Sequence, residues 1–292
     1  MLPIFTLNNQ TFFPVMKSKF YSFLALPFFC LLSFTSLAGV DTVSTYSAAM
    51  QKEIKAVVIT PKDYNESKNY PVVYLLHGYS GNYKNWIEKV PKIESYADLY
   101  NLIIVTPDGN FGSWYWDSPE VESSKYETYV GKELVEFIDQ KYSTIQSREG
   151  RAITGLSMGG HGALYLAFRH QETFGTAGSL SGGVDIGPFP ENWEMKKYLG
   201  TKAENPERWE EYSVMYQSNR LIPNKLKLII SCGTEDFFYN VNVNLHEKLV
   251  YNNIPHSFMT GPGGHTWDYW SDAVQYQLLF FHTFFEEGKN KS

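Results

Sequence analysis

Two stretches of this chain are apolar at every position rather than at every second one. Val72-Val73-Tyr74-Leu75-Leu76 runs straight into His77-Gly78, and Leu102-Ile103-Ile104-Val105 stops at Pro107-Asp108-Gly109. Uninterrupted hydrophobicity ended by turn residues suits a strand buried on both faces, and such a strand needs helices above and below its sheet. The remaining pattern supplies them. Strands are expected at 54–60, 151–154, 177–180, 226–232 and 256–260, and helices at 127–142, 158–170 and 242–251. In the last segment Trp270, Val274, Leu278, Phe281 and Phe285 recur at helical spacing and mark one apolar face. Strand–helix alternation over this length predicts an α/β architecture, a mainly parallel central sheet with helices on both faces. The 292 residues, 43% of them hydrophobic, fit one large domain over 39–292. No repeat or linker interrupts it. Residues 184–222 are polar, contain Pro188, Pro190 and Pro206, and read as a cap-like insertion.

The amino terminus reads as an export signal over residues 1–38. Lys17 and Lys19 precede an uncharged apolar run from Phe20 to about Leu37, and Ser36-Leu37-Ala38 places small residues where a signal peptidase cuts. Met16 offers an alternative start. An uncleaved anchor is the competing reading, weakened by Ser22, Pro27, Ser33 and Ser36. Cleavage would remove two lysines and no acid, taking the net charge from −6 to −8, and would leave a periplasmic or secreted protein. Cys30, which lacks the small residues of a lipoprotein signal before it, is not read as lipidated.

Composition narrows the function classes. No Lys/Arg-rich tract is present, so a phosphate-neutralising nucleic-acid surface is not expected. Cys30 and Cys232 are the only cysteines, which excludes a disulfide framework and a four-cysteine zinc site. No metal or other cofactor is expected, and the sequence is silent on oligomeric state.

The chemistry begins at Gly155-Leu156-Ser157-Met158-Gly159, a G-x-S-x-G pentapeptide between a short apolar strand and a helix rich in small residues. A serine at such a sharp strand-to-helix turn is held in a strained conformation with its Oγ exposed at the positive end of a helix. The competing reading is a capping serine in a Gly-rich helix start. A serine hydroxyl needs a base. His265 lies in Gly261-Pro262-Gly263-Gly264-His265-Thr266-Trp267, between the last strand and the last helix, and is the candidate. His77 is assigned to the oxyanion loop and His161 to the lining of the cleft. His170, His246 and His282 read as solvated or core-edge histidines. The acid belongs between serine and histidine, in Ser231-Cys232-Gly233-Thr234-Glu235-Asp236. Asp236 is preferred and Glu235 is the alternative. The order Ser157, Asp236, His265 is that of α/β-hydrolases. Backbone N–H groups of Met158, next to the nucleophile, and of Tyr79, after His77-Gly78, are the candidate oxyanion donors.

Leu75-Leu76-His77-Gly78-Tyr79, Pro107-Asp108-Gly109-Asn110, Ser113-Trp114-Tyr115-Trp116-Asp117-Ser118-Pro119, Gly155 to Gly160, Cys232 to Phe237 and Pro262 to Trp267 occur in that order. Together they resemble the esterase D-like esterases of the α/β-hydrolase superfamily. That group includes feruloyl and acetylxylan esterases of carbohydrate esterase family 1, tributyrin esterases, S-formylglutathione hydrolases and mycolyltransferases. The resemblance spans about residues 50–285. It implies Ser157 as nucleophile, Asp236 and His265 as its partners, Tyr79 and Met158 as oxyanion donors, and no metal. Polysaccharide-active members often carry a binding module or a second catalytic domain, and neither is expected within these 292 residues.

The expected function is therefore an exported serine carboxylesterase acting on acyl or feruloyl esters of plant carbohydrates, with a small-molecule or oligosaccharide ester as its partner. A short-chain, tributyrin-type lipid esterase and an S-formylglutathione hydrolase-like thioesterase are the enzymatic alternatives, and export speaks against the latter. An inactive glycan-binding relative is the alternative from another class. Trp114, Tyr115, Trp116 and Trp267 are candidate substrate-binding aromatics, as is Tyr79. Three adjacent aromatics in a loop are not expected all to face the core, and Trp114 is expected to reach the cleft.

Overall fold

A computed structural model describes residues 39–289 and Pro3, and the export signal read from residues 1–38 lies outside the described residues apart from Pro3. Residues 39–289 belong to one compact unit. Its strands are β1 (Val40–Ser47), β2 (Lys52–Ile59), β3 (Val72–Leu76), β4 (Ile103–Pro107), β5 (Arg151–Gly155), β6 (Thr176–Leu180), β7 (Lys227–Gly233) and β8 (Ser257–Gly261). They form one eight-stranded sheet in the order β1-β2-β4-β3-β5-β6-β7-β8. β1 and β2 run antiparallel to their neighbours, and every pairing from β4 across to β8 is parallel. The chain therefore has an α/β-hydrolase fold.

The two uninterrupted apolar runs become the adjacent strands β3 and β4 at the centre of this sheet, buried at all positions. Successive side chains on a strand point to opposite faces. In β3, Val72, Tyr74 and Leu76 enter one core, while Val73 and Leu75 enter the other. The first core receives Ala163, Leu164, Leu166 and Ala167 of the helix that follows β5. The second receives Trp270, Val274, Leu278, Phe281 and Phe285, the apolar face expected of the final helix. Burying each such apolar side chain stabilises the fold by about 1.5–3 kcal/mol, and the one polar residue in these two strands, Thr106, is accommodated because its hydroxyl donates to Tyr83 O (2.6 Å).

The helices in chain order are α1 (Asn85–Lys89), α2 (Ile93–Tyr100), α3 (Tyr126–Thr128), α4 (Leu134–Lys141), α5 (Met158–Arg169), α6 (Met195–Leu199), α7 (Pro206–Glu211), α8 (Val214–Gln217), α9 (Tyr239–Tyr251) and α10 (Trp267–Lys289). α3 and α4 are joined by a π-helical turn, Tyr129–Glu133, where the sequence pattern predicts one regular helix. Residues 184–222, between β6 and β7, carry α6, α7 and α8. Met195, Tyr198, Leu199, Trp209 and Val214 from this stretch share the first core with the sheet. Among the described residues no helix is long and apolar enough to cross a membrane.

Candidate active site

Ser157 follows β5 and immediately precedes α5. Its backbone sits at φ 55° and ψ −118°, a region that costs a non-glycine residue on the order of 1–3 kcal/mol. The surrounding glycines make the turn possible. A Cβ on Gly155 would lie 2.6 Å from the Leu76 carbonyl oxygen, and one on Gly159 would lie 2.6 Å from the carbonyl oxygens of Leu76 and His77. The turn is pinned by the Ser157 amide donating to Leu180 O (2.9 Å) and the His161 amide donating to Ser157 O (3.0 Å). The serine is nearly buried, 8% exposed.

Asp236 and His265 reach this serine from the ends of β7 and β8, beyond the intervening β6. Asp236 follows β7, and His265 lies between β8 and α10. His265 Nε2 is 2.9 Å from Ser157 Oγ, and its Nδ1 is 2.8 Å from Asp236 Oδ2 and 3.1 Å from Oδ1. A carboxylate on Nδ1 fixes the proton there and leaves Nε2 free to accept the serine hydroxyl proton. The Asp236 side chain is fully buried, and its Oδ1 also accepts the Phe238 amide (2.8 Å). Around the imidazole stand Phe237 (4.2 Å between ring centroids), Trp270 (4.8 Å) and Phe238 (5.4 Å), which limit access of water.

Glu235, the alternative acid, makes no bond to His265. Its carboxylate accepts the Gly263 amide and the Thr234 hydroxyl (2.8 Å), while its own amide donates to Gly263 O (3.0 Å). It clips the histidine loop to the end of β7, and these hydrogen bonds, that from Gly263 foremost, hold its carboxyl below the ordinary range.

Tyr79 lies in the loop after β3, and Met158 is the first residue of α5. Neither amide takes part in the hydrogen bonds of the turns around it. Gly78 has no room for a side chain, since a Cβ would meet Leu156 at 2.6 Å and Ser157 Cβ at 3.4 Å. His77 braces the loop from behind. The Gly109 amide donates to its Nε2 (2.7 Å), so Nδ1 carries the proton and donates to Gly78 O (2.8 Å). Burial pushes its pKa down and keeps it neutral.

A cavity of about 300 Å³ opens over Ser157. Tyr79 and Trp267, both named from the sequence, line it. Trp193, Phe237 and Trp270 line it as well, and sequence reasoning missed them. The overlooked signals were a tryptophan in the insertion, Trp193, and a phenylalanine beside the acid, Phe237.

The expectation for Trp114, Tyr115 and Trp116 is corrected. All three are buried, at 1%, 0% and 0% exposure. Trp114 and Tyr115 are consecutive left-handed residues, at φ 53° and 61°, and this reversal turns the three neighbouring side chains inward. Tyr115 donates to His77 O (3.1 Å), and Trp116 Nε1 donates to His161 Nε2 (2.9 Å). His161 is corrected with them, because its ring is wholly buried rather than lining the cleft. With Nε2 accepting from Trp116, its Nδ1–H donates to Gly183 O (2.9 Å). Burial lowers its pKa to about 4. Among the described residues no cluster of three or more His, Cys, Asp or Glu side chains is placed to hold a metal ion.

The model of the family described as "Putative esterase" matches residues 47–281. An acetyl esterase of Caldicellulosiruptor saccharolyticus is 29% identical over 258 residues, covering 80% of this chain and 94% of its own. A solved ferulic acid esterase superposes with a TM-score of 0.73 at 28% identity, over 84% of this chain and 98% of its own. The S-formylglutathione hydrolase of Staphylococcus aureus shares the fold with a TM-score of 0.71 at 23% identity, over 84% of this chain and 98% of its own. The chain belongs to the "Putative esterase" family, and it is a carboxylesterase with an α/β-hydrolase fold.

Proposed function

We propose that the protein is an exported serine esterase that cleaves acyl or feruloyl esters carried on plant carbohydrates. The observation that carries the catalytic part is the continuous hydrogen-bond line from Asp236 through His265 to Ser157 Oγ, at 2.8 and 2.9 Å. His265 Nε2 takes the serine proton as Oγ adds to the ester carbonyl. The developing oxyanion is met by the amides of Tyr79 and Met158. His265 then protonates the departing alcohol, and a water activated by the same imidazole releases the acid from Ser157. Asp236, hydrogen-bonded to Nδ1, orients and stabilises the imidazolium. The strained backbone of Ser157 holds Oγ at the start of α5, where the helix dipole favours the anion.

The substrate class is supported by two of the similar proteins, an acetyl esterase and a ferulic acid esterase. The aromatic lining of the cavity supports it too. Export is supported by the charge and hydropathy pattern of residues 17–38. The test is a panel of methyl ferulate, acetylated xylan, tributyrin and S-formylglutathione offered to the purified protein. Release of ferulate or of acetate from xylan is the expected result. Turnover confined to tributyrin or to the thioester would replace the carbohydrate reading.

A further inference from the structure

Trp193 and Phe237 form a part of the cavity that the chemistry of Ser157 does not require. Their rings stack with centroids 5.8 Å apart and planes inclined by 21°. Phe237 is 53% exposed and also leans on the His265 imidazole. Trp193 arrives from the insertion between β6 and β7, and a rigid layer backs it. Its ring packs on Phe189 (5.4 Å), Phe238 (5.1 Å) and the buried Trp114 (5.9 Å), and Trp114 meets His161 of α5 edge-on at 5.2 Å. The indole is thereby coupled through packed rings to the helix that starts at Ser157.

The backbone under it is strained. Trp193 and Glu194 both lie in the left-handed region, at φ 49° and 54°. A bulky residue adopts that conformation only against a steric penalty, and strain of this kind gathers at ligand clamps. The cavity has no carboxylate, lysine or arginine in its lining, and Ser80 and Asn85 are its polar side chains besides Ser157, His265 and the ring heteroatoms. An uncharged, pre-positioned aromatic pair next to a nucleophile favours a planar ring over an aliphatic chain, through offset or edge-to-face contact.

We infer that Trp193, braced by Phe237, is the specificity-determining residue of this site, and that it selects esters carrying a planar aromatic ring. The inference rests on Ser157 being the esterase nucleophile. The ring can belong to the acyl group or to the alcohol, and the experiment separates the two. Wild type, Trp193→Leu and Trp193→Phe are compared on methyl ferulate, phenyl acetate and methyl butyrate. The leucine variant keeps an apolar side chain and removes the aromatic face, and the phenylalanine variant keeps the face.

With methyl butyrate as reference, kcat/KM for at least one aryl ester is expected to fall roughly five- to tenfold in Trp193→Leu and to be largely retained in Trp193→Phe. A fall confined to methyl ferulate puts the ring in the acyl group, and one confined to phenyl acetate puts it in the alcohol. Ratios within about twofold of wild type for both aryl esters in the leucine variant, or equal loss in the phenylalanine variant, overturn the inference while leaving the esterase intact. A wild type that turns over none of the three esters overturns the esterase reading and this one with it. Melting temperatures of both variants are measured alongside, and if the leucine variant does not fold, Trp193→Met replaces it under the same criteria.

Discussion

Two aromatic clusters stand at the carboxyl end of the sheet and have opposite fates. Trp114 to Trp116, after β4, are sealed in the core, whereas Trp193 and Phe237, from the connections around β7, form a wall of the cavity over Ser157. Residue type does not separate them. What separates them is what lies above. The insertion brings Trp193 down onto Trp114, so the first cluster becomes the foundation of the second. A loop aromatic is a ligand platform only if it is the outermost layer, and the packing of other segments decides which layer that is.

The comparison assumes that Ser157 is the centre both clusters serve, and the strongest test addresses that. Ser157→Ala is expected to lower kcat on 4-nitrophenyl acetate by on the order of 10⁶ without shifting the melting temperature downward. Near-wild-type turnover would leave neither cluster attached to a reaction. Next in size is the neighbour of Phe237. Asp236→Asn is expected to cost roughly 10⁴ in kcat by favouring the wrong histidine tautomer. Glu235→Gln, which loosens the clip to Gly263, is expected to be mild. The reverse ranking would move the acid to Glu235.

The foundation layer is then tested directly. Trp116→Ala is expected to destabilise the fold by about 3–5 kcal/mol in urea unfolding, because it empties a fully buried site and removes the donor to His161 Nε2. At temperatures where the variant remains folded, its losses should be similar on aryl and alkyl esters. Discrimination between them, with little change in stability, would make the triplet a recognition element and erase the contrast with Trp193.

The smallest effect is one of pH. His161 is buried neutral with a pKa of about 4, below its ordinary unfolded value of about 6.5. Between those values the unfolded chain binds more protons, so stability rises with pH through that window and is complete above it. From pH 7 to pH 5 the His161 contribution falls by about 2 kcal/mol. The buried His77, also lowered, adds to the same trend. Urea midpoints of wild type and His161→Gln at the two pH values check this. The variant should be less stable at pH 7 but show a shallower decline. An unchanged decline would mean that His161 is not a buried neutral latch between Trp116 and Gly183.

The reach of the sequence differs across the molecule for physical reasons. β3, β4 and the face of α10 were legible because burial on one or two sides imposes an apolar pattern that no other arrangement produces. β1 was not read. It is the outer strand of the antiparallel pair, and its inward residues Val43, Thr45 and Ser47 are mostly polar. Thr45 accepts burial because its hydroxyl donates to Ile54 O and pairs with Tyr129 Oη, and Ser47 because it donates to Glu133. The π-helical turn between α3 and α4 left no mark either, since its residues keep an ordinary helical composition.

By itself the sequence determined the layered α/β arrangement, singled out Ser157 and His265 across 108 positions, and narrowed the acid to Asp236 or Glu235. Local chemistry is demanding at each of them: small residues around Ser157, a strand end before Asp236, a glycine loop around His265. Only the tertiary structure decided that Asp236 rather than Glu235 faces His265, that His161 is a latch, and that the cavity wall is Trp193 with Phe237 rather than Trp114. Those outcomes depend on which neighbouring segment covers a side chain and which partner its polar atoms find. Such relations join residues far apart in sequence, and no pattern within a segment encodes them.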